Sequence, residues 1–92
     1  MTIAVIHDAA RQRFEAIVEG QRCVADYQLR GKVMWMNHTG VPDAVAGRGI
    51  AAALVRAALD WAAAQGYTVE PSCSYVAAYM RRHPDTLRLL AR

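Results

Sequence analysis

At 92 residues, 54% of them apolar and with a net charge of +3, the chain has material for one core and not for two, so a single domain over residues 1–92 is expected. No apolar run approaches the roughly 20 residues of a membrane span, no basic-plus-apolar leader opens the chain, and two cysteines (Cys23, Cys73) are too few for the disulfide framework of a small secreted domain. The expectation is a cytoplasmic protein with no membrane partner.

The first forty residues read as strands separated by tight turns. Ile3–His7 is a short apolar run that ends at the turn-prone Asp8. Phe14–Val18 leads into Glu19-Gly20, a hairpin signal, and Cys23–Leu29 ends at Arg30-Gly31, a second one. Val33–Thr39 is the fourth strand; Gly40 and Pro42 disturb its end, because glycine often marks a bulge and proline cannot donate to a ladder.

The period then changes. Ile50, Leu54, Val55, Ala58, Leu59 and Ala62 recur at three and four positions, which predicts an amphipathic helix over 49–65 with Gly66 as its stop. Tyr67–Glu70 is a β-prone run ending at Pro71. A second helix over 74–82 places Val76, Tyr79 and Met80 on one side. His83-Pro84 breaks it, with His83 placed to bond the last carbonyls, and Asp85 can cap a last short helix through Leu89-Leu90. The predicted fold class is α/β (α+β), ordered ββββ-α-β-α. Strand, crossover helix and strand imply one parallel pairing in a mostly antiparallel sheet.

The informative stretch is His38-Thr39-Gly40-Val41-Pro42-Asp43-Ala44-Val45-Ala46-Gly47-Arg48-Gly49-Ile50-Ala51-Ala52. A strand ends, a turn carries two glycines, and a helix begins. Free N–H groups at a helix N-terminus, aided by the helix dipole, make a site for phosphate. A Cβ at Gly47 or Gly49 would stand between such amides and a ligand. Alone the pattern is weak, since it lacks the third glycine of a dinucleotide fingerprint and the Gly-Lys-Ser/Thr of a P-loop.

Its context resembles the core of the GNAT acetyltransferase superfamily. The family's Gln/Arg-x-x-Gly-x-Gly/Ala stands here as Ala44-Val45-Ala46-Gly47-Arg48-Gly49. Together with His38-Thr39-x-Val41-Pro42, Gly47-Arg48-Gly49-Ile50-Ala51, Pro71-x-Cys73-x-Tyr75 and Tyr79-x-x-x-His83-Pro84, it is similar to the minimal single-domain GNAT family along essentially the whole chain. The resemblance implies a GNAT-like sheet and transfer of an acetyl group from acetyl-CoA to a primary amine, by direct attack in a ternary complex. It implies a bulge at Thr39-Gly40-Val41 whose backbone receives the pantetheine arm. Ala46, Gly47, Arg48, Gly49, Ile50, Ala51 and Ala52 match the pyrophosphate loop; Ser72, Cys73, Ser74 and Tyr75 match the segment where the last parallel strand diverges and admits the thioester. Tyr79 falls where many GNAT enzymes keep the tyrosine that protonates the departing thiolate. Two departures stand out. Ala44 removes a loop-steadying side chain, and Gly40 replaces the glutamate of His-Thr-Glu-Val-Pro, so no carboxylate at 40 can act as base.

The candidate catalytic residues are therefore Cys73, Tyr79 and His38. Each has a plainer reading. Cys73 is otherwise a small buried hydrophobe and Tyr79 a helix residue packed on the sheet. His38 is of a residue type that suits a base and could approach Cys73 in the fold, or is a structural histidine. Arg48 could reach a cofactor phosphate or be a solvated loop charge. Arg81, Arg82, Arg88 and Arg92 are either a binding site for the adenosine 3′-phosphate or an acidic partner, or a solvated face. Ten arginines stand beside one lysine, Lys32, a bias that suits phosphate but also follows from GC-rich codons. No dense basic face with interleaved aromatics predicts a nucleic-acid partner. The histidines are scattered, so no metal is expected. The expected partners are acetyl-CoA and an amine acceptor, small molecule or protein, with the chain a monomer or weak homodimer. The alternative function is a non-catalytic acyl-CoA-binding or protein-interaction module.

Overall fold

The computed structural model describes residues 2–91. Five strands form one sheet in the order β1-β2-β3-β4-β5, namely β1 (Ile6–Asp8), β2 (Arg13–Val18), β3 (Gln21–Arg30), β4 (Val33–Gly40) and β5 (Thr68–Pro71). β1 to β4 are an antiparallel meander, and β5 joins β4 in parallel after the crossover helix α1 (Ile50–Gln65). Helix α2 (Ser74–Arg82) and a 3-10 helix, Pro84–Leu89, complete the fold. The mixed α/β architecture and the order ββββ-α-β-α are those expected.

The differences are local. Ile3 and Val5 pack against the core but lie before β1, whose pairing with β2 covers Ile6 to Asp8. The first hairpin turns at Glu19-Gly20, both at positive φ (49° and 76°), the backbone of a twisted two-residue turn. β3 continues through Arg30, which pairs with Val33, so the second turn is Gly31-Lys32 and not Arg30-Gly31. The last 3-10 helix starts at Pro84, capped by His83; Asp85 sits inside its first turn, and its carboxylate goes to Arg56 of α1.

Strand alternation puts Phe14, Ala16, Cys23, Ala25, Tyr27, Met34, Met36 and Val69 on one face. There they meet Ile50, Leu54, Val55, Ala58, Leu59 and Ala62 of α1 and Val76, Tyr79 and Met80 of α2. The opposite sheet face carries the ion pairs Arg13–Asp26 (3.0 Å) and Arg22–Glu15 (3.3 Å). Trp35 also stands there, under the Arg30 guanidinium. An aromatic cluster packs around the second half of α1. His7 stacks on Phe14 (4.0 Å between ring centroids), bonds Tyr27 Oη at 2.6 Å and meets Trp61, which also meets Tyr67. No helix of the described residues is long and apolar enough to cross a membrane.

Candidate active site

Helix α1 begins without a side-chain cap and without an acidic residue in its first turn. The first N–H groups of any α-helix have no internal acceptor, and Gly49, at the capping position, has no side-chain oxygen to offer them. Ala53 N–H reaches Gly49 O at 3.1 Å, but the amides from Gly47 to Ala52 find no acceptor among the described residues. Ala46, Gly47, Gly49, Ile50, Ala51 and Ala52 line a cleft of about 230 Å³, closed opposite by Val41 and Tyr75. Unsatisfied amides and the positive end of a helix dipole are groups that suit a phosphate. The residues present fit the pyrophosphate of CoA.

A Cβ at Gly47 or Gly49 would meet no protein atom within 4 Å. Packing therefore does not demand these glycines. Gly49 is set by its backbone, at φ 76°, and the space before it is left to whatever approaches the amides. Arg48 does not line the cleft. Its guanidinium pairs with Glu19 in the β2–β3 turn, and that pairing holds the Glu19 carboxyl below the ordinary range. Of the two expectations for Arg48, a phosphate contact or a solvated loop charge, the structure shows a loop charge paired to an exposed turn carboxylate.

Of the residues that line the cleft, Val41 follows β4 and Tyr75 lies in the first turn of α2, just past the place where β5 leaves β4. The two pair only from Val33 to Met36. At Met36 the carbonyl accepts from Cys73 N–H (3.0 Å) and from Ser72 Oγ (3.3 Å), and the chain turns into α2. From Asn37 to Gly40, β4 keeps β3 on one side and, among the described residues, has no strand on the other.

The bulge lies earlier than expected. Tyr27 pairs with Met36 and Asp26 with His38, so Asn37 is the extra residue, while Thr39 and Gly40 pair regularly with Ala25 and Val24. Because a strand alternates with period two, one inserted residue exchanges the faces of all that follow. Thr39, opposite buried Ala25, therefore turns to the helix side. His38 and Gly40, opposite Asp26 and Val24, turn to the open face.

On the helix side, Thr39 Oγ1 lies 3.6 Å from Cys73 Sγ. Cys73 is the N-terminal capping residue of α2. Burial pushes its thiol up. The Val76 amide, the Thr39 hydroxyl and the Tyr75 and Thr39 backbone outweigh that and leave it below the usual thiol value. Cys23, sealed in the core, is pushed up by burial instead. On the open face, His38 is exposed, and its Nε2 lies 3.1 Å from where a Cβ of residue 40 would stand. The imidazole thus occupies the side-chain space above Gly40. It points to the other face of the strand from the Thr39–Cys73 contact, so the expected approach of His38 to Cys73 is not seen.

Tyr79 does not line the cleft. It is 6% exposed, and its hydroxyl accepts from Arg56 Nε at 2.8 Å. Its ring stacks on His83, whose Nδ1 donates to Tyr79 O at 2.8 Å, as expected of a helix-end histidine. Tyr75, which the resemblance put in the segment that follows the last parallel strand, lines the cleft with Val41 and the first turn of α1. Arg81, Arg82 and Arg88 are exposed and do not line the cleft, and Arg92 lies outside the described residues.

Comparison with known proteins agrees with this geometry. The family model of GCN5-related N-acetyl-transferases matches residues 13–89. Protein NATD1 of Mus musculus is 38% identical over 85 residues, covering 89% of this chain and 77% of the mouse protein. Protein NATD1 of Homo sapiens is likewise 38% identical over 85 residues (89% of this chain, 75% of the human one), and that of Danio rerio is 31% identical over 85 residues (89% and 77%).

Proposed function

This chain belongs to the GCN5-related N-acetyltransferase family, and from that premise we propose that it is an enzyme that transfers an acetyl group from acetyl-CoA to a primary amine. One observation carries the reading. A run of backbone amides without acceptors, Gly47 to Ala52, stands at the start of α1, where Gly47, Gly49, Ile50, Ala51 and Ala52 share a cleft with Val41 and Tyr75.

In this reading the loop amides hold the pyrophosphate, and Thr39, Gly40 and Val41 offer the pantetheine arm the backbone that β5 leaves unpaired. The acetyl thioester supplies the electrophile. A backbone N–H between Thr39 and Val41 stabilises charge on its carbonyl oxygen. Ser72 and Cys73 border the thioester, and Cys73 and Thr39 form its wall on the helix side. His38, on the open face, is the base that takes the proton of the incoming amine, directly or through water, in place of the carboxylate that Gly40 lacks. The open sheet face is thus the acceptor side, and among the described residues no lid covers it.

Two measurements test this. Calorimetric titration with CoA is expected to show one site. Acetyl-CoA turnover against a panel of small amines and basic peptides is expected to show transfer, with His38→Gln lowering kcat on the order of 10²-fold and leaving CoA affinity unchanged. CoA binding without transfer to any amine would favour an acyl-CoA-binding module. No CoA binding would overturn the assignment.

A further inference from the structure

The loop ahead of α1 is anchored at two points and exposed between them. Val45 and Ile50 are buried, while Ala46, Gly47, Arg48 and Gly49 are all exposed. Both glycines have positive φ (79° and 76°), and glycine gives up more backbone freedom than any other residue when its conformation is fixed. Ala44, where the GNAT pattern has a loop-steadying Gln or Arg, carries only a methyl group. Of the four exposed residues only Arg48 has a side chain beyond Cβ, and its Nη1 donates to Glu19 Oε2 in the β2–β3 turn. Among the described residues this is the one side-chain ion pair or hydrogen bond that ties these four residues to another part of the fold. Glu19 is an unusual choice for its own turn. A two-residue turn with positive φ at both positions is best served by glycine, asparagine or aspartate, yet Glu19 takes φ 49° beside Gly20. The pairing of Val18 with Gln21 fixes that turn on the sheet, and with it the place from which the carboxylate is offered. The hairpin does not call for a glutamate there; Arg48 does.

We propose that Glu19 is a positioning residue for cofactor binding. Acting through Arg48, it holds the Gly47–Gly49 loop in the conformation that presents open amides to the CoA pyrophosphate. The inference rests on the reading of those amides as the CoA site. An exposed ion pair adds little to the stability of a whole fold. Its weight falls on the one loop it restrains. Where only a fraction of the free molecules holds the binding conformation, the apparent Kd rises as the inverse of that fraction. Losing an exposed pair changes such a fraction by about two- to fivefold. Arg48 is in this account a tether to the sheet and not a phosphate contact, and Glu19 supplies the steadying group that position 44 lacks.

Wild type, Glu19→Asn, Arg48→Met and the double variant are compared by thermal melting and by calorimetry with CoA, at roughly 20 mM and roughly 500 mM salt. At low salt each single variant is expected to bind CoA about two- to fivefold more weakly than the wild type. The double variant is expected to lie within about twofold of either single one, because both remove the same contact. At high salt, where screening weakens the pair, all four proteins are expected to converge. Asparagine suits the turn better than glutamate, so Glu19→Asn is expected to lose affinity with its Tm unchanged or raised. A purely structural Glu19 would instead lose both together. Wild-type affinity in Glu19→Asn at low salt overturns the proposal, as does a loss that persists in full at high salt. Tighter binding in Glu19→Asn also overturns it, since Glu19 would then compete with CoA for Arg48. So does a further loss of more than about twofold on adding Arg48→Met to Glu19→Asn, which would make Arg48 a phosphate contact. If the wild type binds no CoA, the reading of the site falls and the proposal with it. Wild-type binding with indifferent variants removes the proposal alone.

Discussion

Helix α1 is flanked at both ends by a glycine of nearly the same left-handed conformation, Gly49 at φ 76° and Gly66 at φ 77°. The two ends use it in opposite ways. At the C-terminus, the turn at Gly66 folds the next amides back onto the helix. Gly66 N–H donates to Ala63 O (3.1 Å) and Tyr67 N–H to Ala62 O (2.9 Å), so terminal carbonyls are satisfied within the chain. At the N-terminus, the turn at Gly49 brings no acceptor, and the amides from Gly47 to Ala52 stay open to the cleft. One end is closed for the sake of the fold; the other is left unfinished for a ligand. Backbone conformation alone does not identify a binding site. Whether the polar groups it exposes find partners does.

The contrast can be broken most sharply at Ala51, in the open first turn. Ala51→Glu places a carboxylate where the pyrophosphate would lie. We expect CoA affinity to fall on the order of 10²-fold, while the helix gains about 0.3–1 kcal/mol from an acid at its positive end. Calorimetry and urea unfolding of the same variant read the two effects, and retained affinity would mean that the amides are not the site. At the closed end, Gly66→Ala is expected to cost about 1–2 kcal/mol of stability, because it forces a Cβ into the left-handed region, and to leave CoA affinity unchanged. A change in affinity would show that the two ends are coupled.

The smallest effect is a pH dependence confined to the closed half. Burial among Phe14, Tyr27 and Trp61 holds the His7 imidazole below its ordinary value of 6.5, with Asp8 partly opposing. The unfolded chain therefore binds the proton first. This contribution to stability is complete above about pH 6.5 and declines as pH falls from there through the lower folded-state value. Urea midpoints at several pH values should show that decline, and His7→Gln should flatten it. A midpoint that rises on acidification would contradict the assignment.

The sequence makes parts of this molecule legible and leaves others hidden, for physical reasons. The spacing of Ile50, Leu54, Val55, Ala58, Leu59 and Ala62 places α1 within a residue of its start, since all of them are buried. The two glycines ahead of it locate the open amides without any tertiary information. The bulge is different. After Met36 the strand carries Asn37, His38 and Thr39, which have no hydrophobic alternation to count, so the register is decided only by pairing with β3. Arg48 is hidden for a similar reason, as its partner Glu19 lies 29 positions away in a hairpin turn. The apolar stripe of α2 tells that Tyr79 is buried, but not that Arg56 claims its oxygen or that Tyr75 faces the cleft.

Asn37 also bears on how this protein tolerates change. A strand keeps count in twos, and the extra residue is a phase shift between the sheet that holds the core and the stretch that holds the chemistry. Substituting Asn37 alters one exposed side chain, whereas deleting it resets the phase. Thr39 would then rotate away from Cys73, and His38 would rotate in toward the helices, with every residue type unchanged. The length of β4 is therefore under a stricter constraint than any one of its exposed side chains.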